Sequence, residues 1–189
     1  MNIIAFNGSP RAGGNTELLL GETLKAIDPD LHRIQLFRLN QVDIKPCQNC
    51  GGCDDTGICV IKDAVDDIYE AIRSADRIVL ASPIFFFGLS AQTKIMIDRC
   101  QAFWCEKYLL KKTYTSEPHG RKGLLLLVGG MKSDTGIRCG EATARAFFRS
   151  ISVPEHETLG FLNVDAKGSI VDHPTAFQQG FEAGARLVK

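Results

Sequence analysis

Asn2-Ile3-Ile4-Ala5-Phe6 runs straight into Asn7-Gly8-Ser9-Pro10-Arg11-Ala12-Gly13-Gly14-Asn15-Thr16, and Leu18-Leu19-Leu20 follows at once. Five residues dominated by apolar side chains with no alternation read as a strand buried on both faces, the kind found in parallel sheets. Asn15 or Thr16 is a suitable N-cap for a helix reaching about residue 27, with Leu18, Leu19, Leu20, Leu24 and Ile27 as its apolar face. The loop between them therefore lies at the carboxyl end of a strand, where open α/β sheets bind ligands. Gly8, Gly13 and Gly14 permit tight turning, Ser9, Asn15 and Thr16 offer polar donors, and Arg11 adds a permanent cation. Free N–H groups of the helix start point at the same place, which suits a phosphate. A Walker loop would need Lys after its last Gly, and a dinucleotide fingerprint would need G-x-G-x-x-G; neither is present. The loop reads as a cradle for one phosphate, with a plain polar connector as the alternative.

Outward from this unit, short apolar runs alternate with longer helical patterns. Strands are expected at 2–6, 33–37, 77–81, 123–128 and about 157–161. Helices are expected at 64–74 behind Asp63 as N-cap, and at 90–103, 136–150 and 175–188. Alternation of this kind makes βαβ units. Five parallel strands between two helical layers give a three-layer doubly wound sheet, and order 2-1-3-4-5, the flavodoxin-like arrangement, suits this size. The 189 residues form a single domain on this reading, with a cysteine-rich insertion at about 45–62.

Composition narrows the function. Lys plus Arg and Asp plus Glu both number 22, so the formal net charge is zero. Nucleic-acid binding needs an excess of basic charge, and a field-steered acidic electron shuttle needs the opposite. The longest apolar runs, 124–128 and 84–87, are far short of a membrane span, and the N-terminus has no cationic region before its apolar run. The expectation is a cytoplasmic chain with no membrane or nucleic-acid partner, whose seven cysteines serve as thiols or ligands.

The third strand ends in Ala81-Ser82-Pro83-Ile84-Phe85-Phe86-Phe87-Gly88-Leu89-Ser90. Three successive phenylalanines at a strand end need a cover. A flat, largely apolar ring is one cover, and a core or subunit interface is another. Gly129-Gly130-Met131 follows the fourth strand and forms a third turn on the same edge.

G-S-P-R-x-x-G-N-T after a first strand, together with S-P-I-F-F-F-G-L-S-A-Q-T-K-I-M-I-D-R, resembles the NAD(P)H-dependent FMN reductases and iron–sulfur flavoproteins of the flavodoxin-like superfamily. The resemblance implies that FMN is the cofactor. Ser9, Arg11, Gly14, Asn15 and Thr16 would take its phosphate, Pro83, Ile84, Phe85, Phe86 and Gly88 would border its ring, and Gly129 and Gly130 would approach from the fourth strand. Phe85 stands where the family commonly has Tyr, so any role of that hydroxyl is lost. The helix from Ala91 often lies at a dimer interface in such proteins, and its Lys94 and Asp98 also suit a solvated i,i+4 pair.

Cys47, Cys50 and Cys53 recur at every third position, with Cys59 six residues on and Gly51 and Gly52 between. Four thiolates suffice for a [4Fe–4S] cluster. The run resembles the compact C-x2-C-x2-C-x(4–7)-C motif of iron–sulfur flavoproteins. A zinc ion would more often take its ligands from two separate knuckles, and unmetallated or disulfide-bonded thiols are the third reading. The segment follows the second strand and is expected at the flavin edge. Cys100, Cys105 and Cys139 read as core or incidental, although Cys139 and Arg145 spell C-x5-R. That pattern needs a glycine-rich loop directly after a strand to act as a phosphatase, and here it lies in a helical run. His32, His119, His156 and His173 show no ligand spacing.

The expected function is an FMN-dependent oxidoreductase, an electron-transfer iron–sulfur flavoprotein. Its alternatives are an NAD(P)H-dependent FMN or quinone reductase without a cluster and a non-enzymatic thiol redox sensor. NAD(P)H is the expected transient co-substrate, a ferredoxin-like redox protein or a small molecule the acceptor, and a homodimer or homotetramer the assembly. Hydride and electron transfer need no side-chain acid or base, so no catalytic residue is assigned.

Overall fold

The computed structural model describes residues 1–112 and 120–189; His119 lies outside the described residues. The strands are β1 (Asn2–Asn7), β2 (Arg33–Arg38), β3 (Arg77–Phe85), β4 (Gly88–Leu89), β5 (Lys122–Val128) and β6 (Glu155–Phe161). The helices are α1 (Asn15–Lys25), α2 (Val65–Ser74), α3 (Ala91–Arg99), α4 (Gln101–Trp104), α5 (Thr135–Ser150) and α6 (Ala176–Leu187). Five strands pair in parallel in the order β2-β1-β3-β5-β6. That is the expected flavodoxin-like order once β4, a two-residue strand antiparallel to the end of β3, is set aside.

The unbroken apolar strands have a direct cause. Ile4, Phe6, Ile78, Leu80, Leu125 and Leu127 pack with α2, α3, α4 and α5, while Ala5, Val79, Ala81, Leu124, Leu126 and Val128 pack with α1 and α6. Successive side chains point to opposite faces, so a strand covered on both sides must be apolar at every position. Polar staples close the edge opposite the loops. Buried Arg121 donates to the carbonyls of Ile72, Ala75 and Ile151, and buried Arg77 to those of Leu187 (2.6 Å) and Gly120 (2.8 Å). These bonds supply partners for carbonyls left open where α2, α5 and α6 end and, at Gly120, just ahead of β5.

Four boundaries differ from expectation. Gly14, not Asn15 or Thr16, holds the cap position of α1, and no side chain caps it. Asp63 does accept the N–H of Val65 at 3.0 Å, but as a turn one residue ahead of the cap, Ala64. The expected helix over 90–103 breaks at Cys100 into α3 and α4 and then widens into a π-helical turn over Cys105–Leu109. Strand β3 also runs four residues past Ala81, because its end folds back through β4. No described helix is long and apolar enough to cross a membrane.

Candidate functional site

The loop after β1 is wired into its surroundings by its own polar atoms. Asn7 Oδ1 accepts the Ser9 N–H at 2.9 Å, and Ser9 Oγ both accepts from the Arg11 N–H and donates to the Arg11 carbonyl, each at 3.2 Å. Gly8 serves close packing: a Cβ there would sit 1.9 Å from Thr93 Oγ1, while Ser90 Oγ donates to its carbonyl at 2.7 Å. Gly13 adopts a left-handed φ of 64° and gives its N–H to Glu17 Oε2 at 2.7 Å. That bond, opposed by partial burial and joined by Arg38, holds the Glu17 carboxyl below the ordinary range. Asn15 directs its carboxamide away from the loop, donating to the Ala166 carbonyl (2.9 Å) and accepting from the Ile170 N–H (3.2 Å). What Asn15 presents to a ligand is its backbone N–H at the start of α1, with Arg11 exposed at the rim.

The phenylalanines occupy a β-hairpin. Phe85 pairs with Gly88, and between them Phe86 and Phe87 have φ values of 48° and 63°. Two consecutive positive φ angles mark a type I′ hairpin turn, normally built from Asn and Gly. Bulky residues rarely adopt this region, and such strain concentrates at functional sites. Phe86 is fully exposed, and Phe85 and Phe87 are 46% and 38% exposed.

Loop and hairpin border one cavity of about 640 Å³ at the carboxyl ends of β1, β3 and β5. Ser9, Arg11, Gly14, Asn15 and Thr16 line one end, Pro83, Ile84, Phe85, Phe86 and Phe87 another, and Gly129, Gly130 and Met131 a third side. Of the residues expected there, Gly88 alone falls outside the lining; it pairs with Phe85 in the hairpin. Pro10 and Val128, from the quoted loop and the end of the fourth strand, also line the cavity, as do Val164 and Asp165, which nothing in their sequence context marked. The last two arrive through the turn after β6: the Val164 N–H donates to the Gly129 carbonyl at 3.0 Å, and a Cβ on Gly130 would lie 2.7 Å from Asp165 Oδ1. A cavity with a helix start and a cation at one end and aromatic side chains at the other suits an elongated ligand bearing a phosphate and a flat ring.

The cysteine run forms a second cavity, about 270 Å³, lined by Cys47, Cys50, Cys53 and Cys59 together with Arg99 and Gln101. The two cavities share no lining residue. The segment leaves the loop edge, where Asn40 Nδ2 still reaches the Pro10 carbonyl at 3.4 Å, and is fastened through Asp63 to Arg99 at the far end of α3. The segment thus emerges at the expected edge, and its cavity lies further along α3. Helix α3 starts beside Gly8, and Arg99 lies nine residues further on, on the order of 13 Å along a helix rising 1.5 Å per residue.

Arg99 organises this second site. Its side chain is fully buried and donates to Asp63 Oδ2 (2.6 Å), to the carbonyls of Lys45 (2.8 Å) and Ile61 (3.0 Å), and to Cys59 Sγ (3.4 Å). Its Nε is buried without a partner. Burial opposes the charge on Arg99, but Asp63 and Cys59 more than offset it and the guanidinium is held charged. Burial likewise raises the Cys53 thiol and, with Cys53 and Asp54 beside it, pushes Cys105 up to about 12. Tetrahedral zinc with Zn–S bonds near 2.3 Å brings thiolates to about 3.8 Å of one another. Among the described residues the donors at such spacing are Cys53, Asp54 and Cys105, not the four motif cysteines. The four motif thiols border the cavity without closing on a single point. Cys105, read from the sequence as core or incidental, is buried in the core, as is Cys100, and its sulfur also contacts Cys53 and Asp54 at the edge of this site; Cys139 is exposed on α5.

The model of the family described as NADPH-dependent FMN reductase matches residues 1–157. An iron-sulfur flavoprotein of Methanocaldococcus jannaschii is 41% identical over 99 residues, 52% of this chain and 51% of that protein. One from Archaeoglobus fulgidus is 35% identical over 128 residues, 68% of this chain and 62% of that protein. The matched part thus spans between half and two thirds of these relatives' length. Among solved structures, an NAD(P)H:quinone oxidoreductase from Methanothermobacter marburgensis superposes with a TM-score of 0.73 at 14% identity, covering 100% of this chain and 98% of that one, a likeness of fold.

Proposed function

Since the chain belongs to the NADPH-dependent FMN reductase family, we propose that it is an FMN-dependent oxidoreductase whose cysteine cavity carries a [4Fe–4S] cluster. The observation that carries the flavin reading is the single cavity joining the N-terminus of α1 to the strained phenylalanine hairpin. The residues fit FMN. Backbone N–H groups of Asn15 and Thr16, with Arg11 at the rim, hold the phosphate, and Pro83, Ile84, Phe85, Phe86, Gly129 and Gly130 flank the ring. When bound, FMN supplies hydride acceptance and single-electron release. The chain's own residues bind and orient it and keep one face covered by the hairpin. No side-chain acid or base is assigned.

For the cluster, Cys47, Cys50, Cys53 and Cys59 share one cavity and Arg99 donates to the sulfur of Cys59, a contact of the kind that tunes clusters. Curated relatives named iron-sulfur flavoprotein support the same reading. NAD(P)H is the proposed co-substrate, and a ferredoxin-like protein or a small molecule the acceptor, in a reducing cytoplasmic compartment. A homodimer or homotetramer is the proposed assembly; it would let the cluster of one chain approach the flavin of another. The separation of the two cavities favours a second reading, an NAD(P)H-dependent FMN or quinone reductase whose flavin works without a cluster.

Anaerobic purification followed by FMN, iron and sulfide analysis decides between them. The proposal expects one FMN and about four irons per chain. Full flavin with fewer than about two irons leaves the reductase alone. No bound flavin and no flavin reduction by NAD(P)H or reduced ferredoxin would overturn both readings.

A further inference from the structure

Cys105 lies outside the four-cysteine motif, yet its sulfur is 3.7 Å from that of Cys53, and no other thiol pair among the described residues is in hydrogen-bonding contact. Three features press the two together. The turn carrying Cys53 closes through Gly57 at a φ of 73°, and a Cβ on Gly57 would lie 2.0 Å from Glu106 Cγ, so the turn sits directly on the residue after Cys105. Glu106 is itself gripped by both terminal nitrogens of Arg73, at 2.9 and 2.8 Å. Cys105 opens the π-helical turn, a deviation often found at functional sites, and its thiol donates to Asp54 Oδ1 at 3.4 Å.

We propose that Cys53 and Cys105 are a reversible dithiol–disulfide pair that forms when Cys53 is not held by a cluster, with a peroxide as the oxidant. Cys53 is half-buried and Cys105 buried, so the peroxide meets Cys53 first. Hydrogen peroxide converts the Cys53 thiol to a sulfenic acid and leaves as water. The Cys105 sulfur then attacks that sulfur, its proton departs, and the hydroxyl leaves as a second water. Two electrons pass from the two thiols to one peroxide, and a dithiol reductant restores the pair. The disulfide itself needs no cluster. Its consequence rests on the cluster reading above: an oxidised Cys53 is withdrawn from the four ligands, so cluster and disulfide exclude each other.

The test is a hydrogen peroxide titration of the anaerobically purified full chain, with iron content and peptide mass mapping read on each aliquot. A Cys53–Cys105 linked peptide, two hydrogens lighter and reversed by dithiothreitol, is expected to rise in step with iron loss, and to form at once in chain stripped of iron by a chelator. Linkage confined to Cys47, Cys50 and Cys59, or sulfinic acid at Cys53 with Cys105 still free, overturns the pair. Linkage in chain that keeps its full iron overturns the exclusion. If the purified chain holds no iron and the linkage still forms, the cluster reading fails and the pair stands. Cys105→Ser is expected to abolish the linked peptide; because the wild-type map alone decides the proposal, a folding defect in that variant does not blunt it.

Discussion

Arg99 and Asp63 form an ion pair at 2.6 Å with side chains 0% and 5% exposed, and this pair fastens the cysteine segment to α3. One carboxylate oxygen of Asp63 takes the guanidinium and the Lys45 N–H, the other the Val65 N–H, so both ends of the 45–63 segment meet at one point. Arg99→Met leaves Asp63 buried without its counter-charge and frees the carbonyls of Lys45 and Ile61. Breaking one partner of such a pair costs about 3–5 kcal/mol. Urea denaturation is expected to show a loss in that range, with a fall in iron content beyond that of Arg99→Lys, which keeps the charge. Equal iron in both variants would remove Arg99 from the cysteine site.

The same pair sets an acid limit. Burial works against ionisation of Asp63, but Arg99 and the N–H groups of Lys45 and Val65 outweigh it and hold the carboxyl below its ordinary value. The folded pKa lies below the unfolded one, so the contribution is complete above the unfolded value of about 3.9 and disappears as pH falls through the folded value. Stability is therefore expected to be insensitive to this group from pH 7 to about 5 and to drop below about 4. Unfolding midpoints across that range should show the drop in the wild type and a shallower one in Asp63→Asn, on a lower plateau.

The phenylalanine hairpin separates stability from binding. Phe86 and Phe87 hold positive φ angles that cost on the order of 1 kcal/mol or more each. Glycine removes that cost, so Phe86→Gly and Phe87→Gly are expected to raise stability by roughly 0.5–1 kcal/mol apiece, less the entropy of the freer unfolded chain. Flavin affinity is expected to fall at least several-fold in both, because each removes a ring from the cavity wall. Calorimetric melting and fluorimetric FMN titration read the two effects separately; higher stability with unchanged affinity would place the rings away from the flavin.

The sequence announces the sheet because strands buried on both faces must be apolar throughout, and Ile3, Ile4, Ala5 and Phe6 or Leu124 to Leu127 admit no other reading. It announces the first loop because glycine, serine and arginine cluster between such a strand and a helix. It gives no sign of Val164 and Asp165, which reach the cavity through backbone pairing with Gly129 across the sheet. It is silent on the contact of Cys105 with Cys53 as well. Only the break at Cys100 and the π-helical turn bring that thiol against a residue 52 positions earlier. The position of the cysteine cavity also escaped, since a segment leaving one sheet edge can fold back along a helix, and the ion pair that makes it do so joins residues 36 apart.

Gly8 tests whether the first loop is shaped by its ligand or by its scaffold. Its N–H donates to the Ala81 carbonyl at 2.8 Å, and the space a Cβ would need is filled by Thr93 Oγ1 at 1.9 Å, with the Ala81 carbonyl and Ser90 Oγ just beyond 3 Å. Gly8→Ala must therefore push α3 away from the sheet or unseat the loop, an overpacking cost of about 1–3 kcal/mol. Removing the obstructing hydroxyl should return part of that loss. In the Thr93→Ala background, Gly8→Ala is expected to cost at least about 0.5 kcal/mol less, the coupling typical of residues in direct contact. FMN affinity should recover along with stability, because the loop regains its place when the helix does. Recovered stability with affinity still lost would mean that Gly8 itself must approach the phosphate, and that the helix contact is secondary.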